Sequence, residues 1–159
     1  MSEQIETKIK EILESDFETP SIIKTILKKE SEIAGQEGIL GLVSIEREYL
    51  STAQHPRIRY SPASLILATK YGLIIVEEGL NAADIEYGGY RIRYIRYSKI
   101  SCLELDTCLL LGLFKISVAS GNTPEMIIEF DTAKYFYDFE ALINVIRFKM
   151  RECEINMTK

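Results

Sequence analysis

The chain has 159 residues, and its composition excludes several classes of protein. Apolar residues make up 47% and charged residues 27%, which is typical of one globular domain and not of a disordered chain. With 24 acidic against 19 basic residues, the net charge of −5 argues against a nucleic-acid binder. One histidine cannot build a multi-histidine metal site, and the three cysteines form no Cys-x-x-Cys pair, so no metal site and no cofactor are expected.

The sequence shows no targeting or membrane segment. Residues 1–10 are polar, and the longest apolar runs are far shorter than the ~20 residues that span a bilayer. We therefore expect a cytoplasmic protein with no transmembrane segment. Its three thiols, Cys102, Cys108 and Cys153, are expected to pack as small buried hydrophobes.

The sequence of residues 1–37, which we call the arm, predicts a helical hairpin. This segment carries nine acidic and five basic residues. Thr19-Pro20 predicts the start of its second helix, because proline favours the first helical position. Helical spacing gives each helix an apolar stripe, formed by Ile5, Ile9, Ile12 and Leu13 and by Ile22, Ile23, Ile26, Leu27 and Ile33. Two alternatives stay open: the stripes cover the chain's own sheet, or they contact a partner. The candidate contact residues for a partner are Ile5, Ile9, Ile22 and Ile26.

The middle of the chain predicts a meander of antiparallel strands, and therefore a barrel or sandwich. Gly72 marks a tight turn between two of the strands. Four acidic residues at or in the 79–89 loop, Glu77, Glu78, Asp84 and Glu86, could form a cation site, but their spacing lacks the pattern of an EF-hand loop, so they are interpreted as part of a solvated loop. A second loop is expected at 52–62. The seven strands are predicted at 42–51, 63–69, 73–78, 90–97, 100–106, 111–119 and 125–130.

A C-terminal amphipathic helix is predicted over 132–150. Burying each of its apolar side chains could contribute about 1.5–3 kcal/mol before entropy is subtracted. We expect this face to pack on the open end of the sheet structure, with 151–159 as a tail. The face consists of Phe136, Phe139, Ile143, Ile146 and Met150.

Three segments, in the right order, resemble the pleckstrin-homology-like (PH-like) domains of bacteria and archaea. Residues 65–76 read LILATKYGLIIV, residues 97–105 read YSKISCLEL, and residues 110–116 read LLGLFKI. The resemblance covers roughly residues 40–150. It implies an α+β fold in which a PH-like barrel of seven antiparallel strands is capped by the C-terminal helix and preceded by the arm. It also implies a non-enzymatic binding or scaffold module that associates with proteins or with itself.

Arg47, Arg57 and Arg59 are similar to the basic residues with which some PH domains hold inositol phosphates. Arginine suits phosphate because its planar fork donates two parallel hydrogen bonds. The resemblance therefore implies an alternative function, binding of an anionic lipid or phosphate. Equally, the three side chains could be solvated and pair with the acidic arm.

Residues 91–99 form the most basic stretch and include Arg91 and Arg93, with tyrosines between the cations. Aromatic and basic side chains together can bind a single nucleic-acid strand, but the acidic net charge of the protein argues against that use. We therefore favour an edge strand whose charges protect it from unwanted pairing with other strands. We assign Arg91 and Arg93 to a candidate interaction surface. His55 is the one candidate general base, and no motif supplies it with a nucleophile.

Overall fold

The computed structural model describes residues 3–15, 19–34, 38–50, 58–79, 89–118 and 126–157. Its helices in these ranges are α1 (Glu3–Glu14), α2 (Ser21–Ala34) and α3 (Thr132–Met157). The strands are β1 (Ile39–Ile45), β2 (Glu48–Leu50), β3 (Ile58–Ser61), β4 (Ser64–Thr69), β5 (Leu73–Glu78), β6 (Tyr90–Ile95), β7 (Ile100–Cys108), β8 (Leu111–Val118) and β9 (Met126–Asp131). A 3-10 turn at Tyr97–Lys99 connects β6 to β7.

The strands form three antiparallel sheets, which confirms the α+β class. The largest has the order β1-β4-β5-β6, the second the order β7-β8-β9, and β2 pairs with β3 alone. The two larger sheets together contain seven strands. Within the described ranges, strand pairing does not join these two sheets into one closed barrel.

The main core lies between the two larger sheets and α3. Three phenylalanines meet there: the rings of Phe130 and Phe139 stack with centroids 4.0 Å apart, and Phe114 lies 5.2 Å from Phe139. Phe139 and Ile146, both predicted on the apolar face of the helix, are fully buried. This packing is the reason that α3 stays attached to the sheets, since each large buried side chain contributes about 1.5–3 kcal/mol.

The arm packs on the outer face of the four-stranded sheet. Ile23 and Leu27 of α2 are fully buried there, against Leu65 and Leu67 of β4. Helix α1 contacts β1, and its Lys8 forms an ion pair of 2.6 Å with Asp138 of α3. The arm stripes therefore form a second core with the chain's own sheet, which is the first of the two alternatives.

The β4–β5 hairpin has the predicted tight turn, and its geometry explains the glycine. A Cβ atom on Gly72 would lie 2.3 Å from the carbonyl oxygen of Ile95, so only glycine fits this close approach of two backbones. Thr69 closes the turn, because its hydroxyl donates to the Gly72 carbonyl and accepts from the Tyr71 amide. The hydroxyl of Tyr97 donates to the Thr69 carbonyl at 2.6 Å, which ties the turn to the end of β6.

Four details differ from the sequence predictions. The strand predicted over 42–51 is divided into β1 and β2, and part of the predicted loop over 52–62 forms β3, which pairs with β2. Helix α3 continues beyond the predicted boundary to Met157, so most of the expected tail is helical. The prediction of buried thiols is wrong for Cys102 and Cys108, which are exposed because the outward side of β7 is uncovered.

Candidate protein-interaction site

Strand β6 is an edge of the four-stranded sheet. It pairs with β5 along one side, and no described strand pairs with its other side. An edge strand exposes a row of backbone donors and acceptors, which makes it a template for an added strand. The local sequence Tyr-Arg-Ile-Arg-Tyr favours this extended conformation, because β-branched and aromatic residues alternate with cations along it.

Tyr90, Ile92 and Tyr94, here called the β6 row, lie on one face of the strand at period two. Their side chains are 40%, 41% and 67% exposed. Ile92 and Tyr94 stand opposite Val76 and Ile74 of β5, both buried under the arm, and Tyr90 stands opposite the buried Glu78. The β6 row therefore continues the apolar outer face of the sheet past the part that the arm covers.

The charges on β6 are basic and lie on the face opposite the row. Arg91 is exposed, whereas Arg93 forms an ion pair of 3.1 Å with Glu77 of β5. Arg96 and Lys99, which follow the strand, are exposed as well. The strand itself carries no acidic residue, so its electrostatic complement is an acidic segment.

Arg47, the first of the three predicted phosphate ligands, binds a carboxylate of its own chain. Its Nε donates to Oε2 of Glu78 at 3.0 Å, and its Nη2 donates to Oε1 at 2.5 Å. Glu78 is almost fully buried and also accepts from the Ala63 amide. The interpretation of Glu78 as a solvated loop residue is wrong, because the strand directs it into this bidentate pair. A phosphate at Arg47 would compete with a buried carboxylate.

Beside this pair, a groove of about 470 Å³ separates the arm from the start of β6. Lys24 and Arg47 line it together with hydroxyl groups, those of Ser15 and Thr19 among them. The Lys24 ammonium donates to the Ser15 carbonyl and so joins the ends of the two arm helices. The groove therefore has a polar, partly cationic lining whose charged groups already make contacts within the chain.

The other predicted site residues are placed as follows. Arg57 and His55 lie outside the described residues, and Arg59 lies on β3 opposite Tyr49. The arm residues Ile9 and Ile26 are buried at 8% exposure, while Ile5 and Ile22 are partly buried against the same core. Their role as partner contacts, and that of the three arginines as ligands, stay predictions.

The described part of the chain contains no cluster of three or more His, Cys, Asp or Glu side chains that could hold a metal ion. No helix within these ranges combines the length and the apolar character needed to cross a membrane.

The β6 row was not assigned as a site from the sequence, although the period-two pattern marks it. Alternation separates Ile92 and Tyr94 from Arg91 and Arg93, but it does not reveal which face is covered. The coverage depends on how far the arm reaches across the sheet, which is a tertiary property.

Comparison with known proteins adds no relative: no protein-family model, no curated protein and no solved structure matches this chain.

Proposed function

We propose that the chain is a non-catalytic binding or scaffold module of the PH-like type, which takes up an extended segment of a protein partner along β6. The observation that carries this proposal is the β6 row, an exposed apolar row on an edge strand whose backbone groups have no described strand beside them. An added strand gains backbone hydrogen bonds for affinity and side-chain contacts for specificity.

The PH-like part of the proposal is supported by the order of elements. Four strands of one antiparallel sheet are followed in the chain by three strands of another and then by one long helix. This is the layout that the resemblance implies, with β2 and β3 as an additional hairpin between the first two strands of the larger sheet. Proteins of this layout are mostly binding modules, although fold by itself does not assign a function.

The chemistry of the partner follows from the two faces of β6. A strand beside it would place alternate side chains next to Ile92 and Tyr94, where apolar groups fit, and next to the exposed Arg91, where a carboxylate fits, while Arg93 already pairs with Glu77. The partner segment is therefore extended, with apolar and acidic residues in alternation. A basic segment would meet like charge at Arg91.

The test uses a short synthetic peptide in which valine and glutamate alternate, and a second peptide with lysine in place of glutamate. We expect the acidic peptide to shift backbone amide resonances of β6 and the basic peptide to shift none. Arg91→Glu should weaken binding of the acidic peptide by at least about tenfold, since a hydrogen bond to a charged group contributes about 1.5–3 kcal/mol.

Lys70→Glu is the matched control, because Lys70 is an exposed cation on the β4–β5 turn, outside the β6 row. It should leave the affinity unchanged. Equal binding by wild type and the Arg91→Glu variant, or resonance shifts that avoid β6, would contradict the proposed site.

The alternative function is binding of an anionic lipid or phosphate by Arg47, Arg57 and Arg59. The cationic lining of the groove at Lys24 and Arg47 supports it, whereas the bidentate bond from Arg47 to Glu78 counts against Arg47 as a ligand. Sedimentation with vesicles that contain anionic lipid tests it on the variants Arg57→Ala and Arg59→Ala. Loss of binding in these variants would support the alternative, and equal binding by wild type and both variants would remove it.

A further inference from the structure

Helix α3 has two faces, and its contacts with the sheets account for one of them. Phe139, Leu142 and Ile146 are fully or almost fully buried in the main core. On the opposite side, Tyr137 is 80% exposed, Phe148 is 61% exposed and Ile155 is 59% exposed. Single exposed apolar residues are ordinary on a protein surface, but three large ones in line along one helix form a pattern.

These residues belong to an exposed row that we call the α3 seam. Its members are separated alternately by four and three residues, the spacing of the contact positions in a two-stranded coiled coil. All six of its members are exposed. At ~1.5 Å per residue, α3 is about 39 Å long and the seam occupies about 27 Å of it. The seam consists of Tyr137, Ala141, Asn144, Phe148, Arg151 and Ile155.

The charges beside the seam select both the partner and its orientation. Arg147 lies just before Phe148, and Glu152 lies just after Arg151. In a parallel pair of α3 helices in register, Arg147 of each copy faces Glu152 of the other, so two ion pairs flank the apolar contact. In an antiparallel pair centred on the same seam, Arg147 would face Arg147 of the other copy.

Glu152 can accept a second bond on this flank. Lys149, one turn earlier, binds its Oε2 at 2.7 Å, and the carboxylate remains 43% exposed, so its other oxygen can accept a further bond. Within the seam, Asn144 meets its own copy in the parallel arrangement. Arg151, also exposed, meets its own copy there as well, and its long side chain can extend out of the contact toward solvent.

We propose that the α3 seam is a self-association surface on which a second copy of this chain docks its own α3, parallel and in register about a two-fold axis. Such an interface is isologous, so each copy contributes the same residues. This proposal names the partner for the self-association that the PH-like resemblance implies. It uses a surface separate from β6, so peptide binding and oligomeric state report on the two proposals independently.

Sedimentation equilibrium of the full chain tests the surface. The wild type should form a dimer, and Phe148→Glu should raise its dissociation constant by at least about 100-fold, the loss expected when a central contact residue is replaced by a charge. Leu110→Glu is the matched control, because Leu110 is a 70% exposed apolar residue on the β7–β8 turn. It should leave the dimer intact.

A wild-type chain that stays monomeric, or a Phe148→Glu variant as dimeric as the wild type, overturns the surface. Circular dichroism establishes that the variant is folded, which is expected because Phe148 is exposed. Peptide binding to β6 should persist in this variant, and its persistence separates a failure of this proposal from a failure of the β6 site.

A charge exchange tests the orientation. Arg147→Glu and Glu152→Arg should each weaken the dimer by about tenfold, and the double variant should restore it, because the exchanged charges again face each other. Restoration supports the parallel pair. Two weakened single variants without restoration in the double variant overturn the parallel orientation.

Discussion

The outer face of the four-stranded sheet has a covered part and an uncovered part. Over β1, β4 and β5 the arm helices bury the apolar side chains, and Ile23 and Leu27 are inaccessible to solvent. Over β6 the same face continues as the β6 row, where Tyr94 is 67% exposed. The arm thus covers most of one sheet face and leaves the β6 row of its edge strand exposed.

The largest contrast between the two parts is expected from removal of an apolar side chain. Leu27→Ala should lower the free energy of unfolding by about 2–5 kcal/mol, because it leaves a cavity between α2 and the sheet. Ile92→Ala, in the uncovered part, should change it by less than about 0.5 kcal/mol. Urea denaturation measures both. Similar losses in the two variants would mean that β6 is as well covered as the rest of the face.

A second contrast concerns two neighbouring glutamates of β5. Glu78→Gln should lower the free energy of unfolding by about 3 kcal/mol, because it breaks a buried ion pair. We expect the low end of the range for such pairs, since Arg47 is one-fifth exposed and keeps some contact with water. Glu77→Gln should cost less than about 1 kcal/mol, because its pair with Arg93 is more exposed on both sides. Thermal unfolding of both variants measures the difference, and equal costs would contradict the contrast in burial.

A third contrast concerns two tyrosines at the end of β6, Tyr94 and Tyr97. Burial, assisted by the charge of Cys153, raises the pKa of the Tyr97 hydroxyl above its ordinary value of 10.0. The folded protein therefore holds this proton more tightly than the unfolded chain does. The stability that results is fully present below pH 10 and is lost above it, at up to about 1.4 kcal/mol per pH unit.

Tyr97→Phe should remove this steep loss of stability at alkaline pH. At neutral pH it should lower the free energy of unfolding by about 0.5–1.5 kcal/mol, because the hydrogen bond to the Thr69 carbonyl disappears. Tyr94→Phe is the control and should keep the wild-type dependence. The hydrogen bonds that Lys115 donates to Asp106 and Glu104 raise the pKa of Lys115, which adds an alkaline loss of stability of its own, in all variants alike. Denaturation at several alkaline pH values checks this, and identical profiles for the two variants would argue against a buried hydroxyl.

Much of the fold was predictable from local patterns. Period-two alternation and Gly72 locate the β4–β5 hairpin, and helical spacing locates both arm helices and the buried face of α3. Strands β2 and β3 were not predicted as a pair, because so short a ribbon has too few residues to show a period. The bond between Arg47 and Glu78 joins residues far apart in the chain, so no local pattern could reveal it.

The candidate site was predictable in part. Arg91 and Arg93 were assigned to an interaction surface from their charge, and the edge position of β6 agrees with an exposed role for Arg91. The exposure of Ile92 and Tyr94 depends on the reach of the arm, and the α3 seam was hidden because the buried face of the same helix explains most of its apolar residues.

Arg91→Glu, on the edge strand, should affect stability less than Leu27→Ala or Glu78→Gln does. Arg91 is exposed on the edge strand but stands opposite Glu77 of β5, so the substitution should lower the free energy of unfolding by no more than about 1 kcal/mol. The same variant should lose affinity for the acidic peptide, so stability and binding separate at one residue. A large loss of stability would assign Arg91 to the fold and not to the binding surface.

Amide hydrogen exchange with and without the alternating valine–glutamate peptide tests the central proposal most directly. An added strand takes up the backbone groups on the outer side of β6, so the peptide should slow exchange of amides within Tyr90–Ile95 and leave the arm-covered strands β1 and β4 unchanged. Unaltered exchange in β6 at saturating peptide, or protection confined to the arm and the strands beneath it, would contradict the proposal.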